Sequence, residues 1–88
     1  GLTLVDFWAS WCGPCQMFGP IFESVSDQRS DVNFVKFEID DVNRRTPAKF
    51  GIRSIPSVLA FVNGELKEAR TGLMDEETLV QWINELKG

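Results

Sequence analysis

The chain is 88 residues long and 43% hydrophobic, with seven Phe and three Trp, and carries a formal charge of −4 from nine Lys and Arg against thirteen Asp and Glu. That length is expected to hold one domain, residues 1–88, around one core, and so much apolar content excludes a disordered chain. No apolar run reaches the ~20 residues that a bilayer-crossing helix needs, and the basic residues read as scattered along an acidic chain, which speaks against nucleic acid as the main partner.

Leu2 to Trp8 is nearly continuous apolar sequence, the pattern of a central strand covered on both faces. Asp6 interrupts it. A carboxylate there is costly unless paired or protonated, and desolvation raises its pKa. In a strand, such an Asp is ordinarily a satisfied hydrogen-bonding group.

Next come Trp11-Cys12-Gly13-Pro14-Cys15, which hold the only two cysteines. From Cys12 to about Gln28, the residues Met17, Phe18, Ile21, Phe22 and Val25 recur at helical spacing and predict a long helix with a core-facing stripe. Pro20 falls inside it and is expected to kink it. C-x-x-C alone is a weak signal, but between a strand and a helix it is a strong one. Residues three apart on a helix share a face with Cα atoms roughly 5 Å apart, inside the ~4.4–6.8 Å window of a disulfide. With Cys12 at the N-cap, its sulfur accepts from an N–H of the first turn; Pro14 has none to give, so the Cys15 amide is the donor. The helix N-terminus lowers the pKa of Cys12 and makes it the attacking thiolate. Cys15, a turn deeper, stays protonated until it resolves the exchange. A ring this small closes no long loop, so the pair reads as chemistry and not as a staple. The chain has no His, and a closed zinc site needs four N or S ligands, so a metal or cluster shared between two chains is a minor alternative.

Phe34 to Asp40 alternates as a second strand, with Lys36 as its odd member, read plainly as a solvated side chain. Asp41 to Phe50 is polar; Thr46-Pro47 suit the N-cap and first turn of a short helix, and Gly51 its end. Ile55-Pro56 reads as trans, because only ~5–6% of X-Pro bonds in folded proteins are cis. Ser57–Val62 and Glu65–Thr71, joined by Asn63-Gly64, predict an antiparallel hairpin whose second strand is marked by Lys67, Glu68 and Arg70 as an exposed edge. Gly72 reads as a turn glycine. Asp75 caps a closing helix with Leu79, Trp82, Ile83 and Leu86 on its inner face.

Val5-Asp6-Phe7-Trp8-Ala9, then Trp11-Cys12-Gly13-Pro14-Cys15, then Ile55-Pro56, in that order, resemble the thioredoxin family over essentially the whole chain. The resemblance implies an α/β, thioredoxin-like fold, with a central mixed sheet in βαβ-α-ββα order flanked by helices. It implies a protein disulfide reductase working through a mixed disulfide, Gly13-Pro14 being like the dipeptide of the reducing members. Asp6 becomes the general acid/base for Cys15, and Lys36 a group that tunes Asp6. Ile55-Pro56 becomes a cis bond facing the cysteines, and Trp11, Gly13, Pro14, Ile55, Pro56 and Gly72 line a shallow apolar groove for substrate. No bound cofactor or metal is implied. The partners implied are disulfide-containing proteins and a separate thioredoxin reductase, an NADPH-dependent flavoprotein, with no nucleic acid or membrane.

The alternative function is a redox-independent binding or scaffold module. No signal or transit segment is visible at the start, so the cytoplasm is the expected location, with an organelle after transit-peptide removal as the other reading. The chain departs from the family in lacking the strand and helix that come first there. Phe34–Asp40 is then expected to be an unprotected sheet edge, with reduced stability or pairing to a second copy. Smaller departures are Gln16, where Lys or Arg is frequent, and Ser57, where Thr is frequent.

Overall fold

In the computed structural model, residues 1–40 and 42–88 are described and form β1 (Leu2–Trp8), α1 (Gly13–Gln28), β2 (Val32–Glu38), α2 (Arg45–Lys49), β3 (Ser57–Val62), β4 (Glu65–Thr71) and α3 (Glu76–Lys87). Asp41, where the predicted polar stretch begins, lies outside the described residues. The strands form one mixed sheet in the order β2-β1-β3-β4, with β1 parallel to β2 and antiparallel to β3, and β3 antiparallel to β4. This is the α/β architecture that the resemblance implied.

One face of the sheet carries the main core. Leu2, Leu4, Val32, Val58 and Ala60 meet Phe18, Phe22 and Val25 of α1 and Leu79, Trp82 and Ile83 of α3. Burial of these side chains is the main driving force for docking both helices, at roughly 1.5–3 kcal/mol for each large side chain. The opposite face is thinner. It is covered by an aromatic row, with Phe7 5.0 Å from Phe37 and 6.4 Å from Phe50, and Phe50 5.9 Å from Phe61. The expectation that β1 is buried on both faces is therefore corrected: Thr3 and Val5 are only half-buried, whereas Leu2 and Leu4 are fully covered. The reason is that two long helices cover one side, while the other has only this partly exposed aromatic row.

Local chemistry explains most of the element ends. Asp75 is the N-cap of α3, its carboxylate accepting from the Thr78 N–H at 2.7 Å, with Glu76 and Glu77 in the first turn and Lys87 in the last, each favourable to the helix dipole. Asn63 and Gly64 have φ of 51° and 82°, the left-handed pair that a tight hairpin turn needs. A bulge between Ala60 and Phe61 leaves Lys67 unpaired in the ladder of the exposed edge strand β4. Pro20 lies inside α1, and the helix runs on past it to Gln28. Phe18 and Phe22, both buried, hold the turns on either side of Pro20 against the sheet.

Two boundaries differ from those read in the sequence. β2 spans Val32–Glu38 and not Phe34–Asp40, because its parallel register starts at Leu2 opposite Val32 and ends at Trp8 opposite Glu38. Asp40 instead turns the chain, its Oδ1 accepting from the N–H groups of Val42 and Asn43 at 2.8 and 2.9 Å. α2 begins at Arg45 after an Arg44 N-cap that makes no side-chain cap bond, so Thr46 and Pro47 sit within the helix and Thr46 is not its cap. Its end is better specified: Ile52 N–H donates to the Pro47 carbonyl at 3.0 Å and Gly51 N–H to the Ala48 carbonyl at 3.1 Å, with Gly51 at φ 73°. β2 is a sheet edge among the described residues, as the sequence implied. Among those residues, no helix is long and apolar enough to cross a membrane.

Candidate active site

Because β1 and β3 run antiparallel with Phe7 opposite Ser57, the end of β1 and the start of β3 meet at one end of the sheet. The loop entering α1 is thereby set beside Ile55-Pro56. Cys12 sits at the N-cap of α1 in extended conformation, and its Sγ accepts from the Cys15 N–H at 3.2 Å. Pro14 lies in the first turn with no N–H to compete. The two cysteines are joined in a disulfide, with Cα atoms 5.2 Å apart. Cys12 is 6% and Cys15 3% exposed, and both pack with Ala9, Trp8, Ile39 and Ile55.

The other residues singled out from the sequence fall around this pair. The Ile55-Pro56 bond is cis, contrary to the trans reading of the bare sequence and in line with the resemblance. The Ile55 carbonyl oxygen lies 3.8 Å from Cys12 Sγ. Gly72, at φ 99°, donates its N–H to the Pro56 carbonyl at 2.8 Å, which brings the end of β4 to the same place. Ser57 is buried and its hydroxyl is held between the Ser54 carbonyl at 2.6 Å and the Thr71 hydroxyl at 3.2 Å, tying that loop to the hairpin. Trp11 is 76% exposed beside the disulfide, and Gly13 and Pro14 are exposed as well.

Asp6 lies behind Cys15. Both line a pocket of about 230 Å³, together with Trp8, Gln16, Gly19, Pro20, Glu23 and Lys36. Asp6 is 1% exposed, and its Oδ1 has no hydrogen-bond partner among the described residues. Burial pushes its carboxyl up to about 6, against the opposing pull of the Lys36 charge. The sequence reading of a satisfied strand Asp is therefore corrected. Lys36 fits both of its readings in part: its side chain is partly exposed, yet it lines the Asp6 pocket and lies 5.9 Å from the Trp8 ring centroid. Its Nζ pairs with Glu23 Oε1 at 3.1 Å.

Glu23 and Ile39 were not singled out in the sequence. Glu23 stands eight residues after Cys15 on α1, with Gly19 between them, so all three share a helix face, and that spacing could have found it. Ile39 is the first residue past β2; its N–H donates to the Trp8 carbonyl at 2.8 Å, and only the parallel pairing of β2 with β1 brings it to the cysteines.

Two sulfurs that close a ring at a helix N-terminus, one beside an exposed apolar surface and one above a buried carboxyl, are arranged to pass a disulfide to and from another molecule. On this sheet they define a thiol-disulfide oxidoreductase. A sequence model of the Thioredoxin family matches residues 1–85. The thioredoxin of Rickettsia bellii (strain RML369-C) is 51% identical over 83 residues, covering 93% of this chain and 78% of that protein. Those of Listeria monocytogenes serovar 1/2a and Haemophilus influenzae are 42% and 41% identical, covering 96% and 93% of this chain and 82% and 77% of theirs. The chain belongs to the thioredoxin family.

The buried Asp6 gives a pH-dependent stability. Its folded pKa of about 6 lies above its ordinary value of 3.8, so the native state holds the proton more tightly than the unfolded chain. The stability associated with that proton is full below about pH 4 and is lost as pH rises through about 6. Asp6→Asn removes the buried charge. Denaturant titration should find the variant more stable than the parent by up to about 3 kcal/mol near pH 8, the advantage vanishing near pH 4. The same difference at both pH values would contradict this.

Proposed function

We propose that the chain is a general reductase of protein disulfides in which Cys12 attacks and Cys15 resolves. The observation that supports it most is the 3.2 Å contact from the Cys15 N–H to the Cys12 sulfur at the start of α1. A donor aimed at sulfur from a helix N-terminus favours the thiolate over the thiol. The Cys12 thiolate attacks one sulfur of a substrate disulfide, forming a mixed disulfide and expelling the other substrate sulfur as a thiolate. The Cys15 thiol then gives its proton to the Asp6 carboxylate and attacks Cys12 Sγ. The substrate leaves as a dithiol, two electrons richer, and the Cys12–Cys15 disulfide closes. Lys36, paired with Glu23 at the mouth of the Asp6 pocket, tunes the charge on that carboxyl.

Substrate binding is assigned to Trp11, Gly13, Pro14, Ile55, Pro56 and Gly72. Pro56 has no N–H to place in a ladder, and a Cβ at Gly72 would meet nothing within 4 Å, so an extended chain has room to lie along this edge. No bound cofactor is needed. A separate thioredoxin reductase, an NADPH-dependent flavoprotein, returns the pair to the dithiol, and the cytoplasm is the compartment proposed.

Insulin turnover driven by dithiothreitol should be abolished by Cys12→Ser, while Cys15→Ser should stall as a mixed disulfide visible by mass. In glutathione buffers the Cys12–Cys15 couple should have its midpoint below the cytosolic poise, the dithiol predominating only at potentials more reducing than that midpoint. Full turnover by Cys12→Ser would remove the assignment of the nucleophile, and a potential well above that poise would make the chain an oxidant.

Pairing of a second copy along the free edge of β2 is also proposed, since Val35 there is 44% exposed and the strand has one open side among the described residues. Light scattering at tens of micromolar, a range chosen for a weak dimer, should then give twice the chain mass; a single-chain mass throughout would eliminate the dimer.

A further inference from the structure

A second pocket, of about 200 Å³, opens beside the redox pair. Its walls include Trp11, Ile39, Ile52 and Ile55, together with Arg44 and Arg53. Trp11 and Ile55 belong equally to the proposed substrate groove, so the pocket continues it sideways toward α2. The basic residues here are not scattered as the composition suggested. Arg44, Arg45, Lys49 and Arg53 fall in residues 42–64, a stretch without one Asp or Glu, while the rest of the chain holds all thirteen acids and only five bases.

Ion pairing divides in the same way. The five bases elsewhere all have a carboxylate within 4 Å: Arg29 and Lys87 at Asp31, Lys36 at Glu23, Lys67 at Glu65 and Arg70 at Glu85. Among the described residues, none of the four bases in this stretch has one. The cations without a carboxylate partner among the described residues thus fall between residues 44 and 53, and two of them, Arg44 and Arg53, line the pocket that holds the exposed Trp11.

We propose that this pocket selects acidic substrates: it takes an apolar side chain close to the target cysteine, while Arg44 and Arg53 hold an Asp or Glu of the same segment. The proposal rests on the reductase reading of the groove and names its substrate class. In an extended segment, residues two apart point the same way, ~6–7 Å from one another, so the apolar side chain and the carboxylate stand at i and i+2. The planar fork of arginine suits a carboxylate. Charges at such a rim set encounter and partner choice more than raw affinity. Two arginines on an apolar pocket suit a peptide better than a phosphate backbone, which needs a continuous basic face.

The test uses two cystine peptides that differ only in carrying Leu-x-Asp or Leu-x-Lys beside one cysteine. The reduced chain should act on the acidic peptide with kcat/KM about five-fold above the basic one at low salt, the preference fading as salt screens it. Arg44→Glu with Arg53→Glu should abolish or reverse the preference. Lys67→Glu with Lys87→Glu, an equal charge change at the far, hairpin end of the sheet, should keep it. The same ratio in the Arg44→Glu, Arg53→Glu variant, or reduction of both peptides at equal, measurable rates by the wild-type chain, overturns the proposal and leaves the reductase reading intact.

Cysteine-free versions of the peptides, titrated into the isotope-labelled oxidised chain, separate the two readings. Larger NMR shifts at Trp11 and Arg53 for the acidic peptide support the pocket even if neither cystine peptide is reduced, in which case the reductase reading falls. Equal shifts overturn the pocket. A short oligothymidylate that moves the same resonances as strongly as the acidic peptide overturns it in favour of nucleic acid.

Discussion

The N–H of Cys15, aimed at the sulfur of Cys12 from the first turn of α1, is the contact on which the rest of the site depends. It exists because three separate requirements agree at one place. Cys12 adopts the extended backbone of an N-cap, Pro14 leaves the second helical position without a donor, and the three-residue spacing brings Cys15 back over its partner. The helix can be held so firmly there because Phe18, Phe22 and Val25 anchor its far side in the core. In the closed disulfide the donor is in place at the Cys12 sulfur, which on the proposed mechanism is where the thiolate stands before exchange.

A second constraint runs beneath the first. Asp6 occupies a core position of a central strand with its carboxyl desolvated and one oxygen unpartnered among the described residues, a costly choice for a small domain. The proposed mechanism gives that cost a use through the pocket shared with Cys15, because a carboxyl poised near neutrality can accept a proton that an ordinary aspartate would leave in place. Lys36 and Glu23 close the arrangement, one charge drawing the carboxyl down and the other holding that charge partly outward. On the proposed mechanism, stability is given up at one buried position for chemistry at its neighbour.

Much of this was legible in the sequence, and the division follows physical lines. β1, β3, β4, the Asn63-Gly64 turn and the Asp75 cap are written in local pattern and turn chemistry, and their bounds agree with the structure. The bounds of β2 are set by its register on β1, and the start of α2 by a chain path that no side-chain cap announces, so local pattern misplaced both. The cis Ile55-Pro56 bond went against the ordinary preference of the dipeptide and was reachable only through resemblance. Ile39, Glu23 and the pocket of Arg44 and Arg53 depend on which strand ends meet and which helix face turns inward. The clustering of cations in residues 42–64 was visible in the chain, but its meaning needed Trp11 beside it.

The most direct test of the account is the rate at which iodoacetamide alkylates Cys12 in the reduced chain as a function of pH, with Cys15→Ser as a companion to isolate the first sulfur. The helix-start donor predicts a thiol pKa at least about one unit below the ~8.5 of free cysteine. A titration at or above that free value would contradict it.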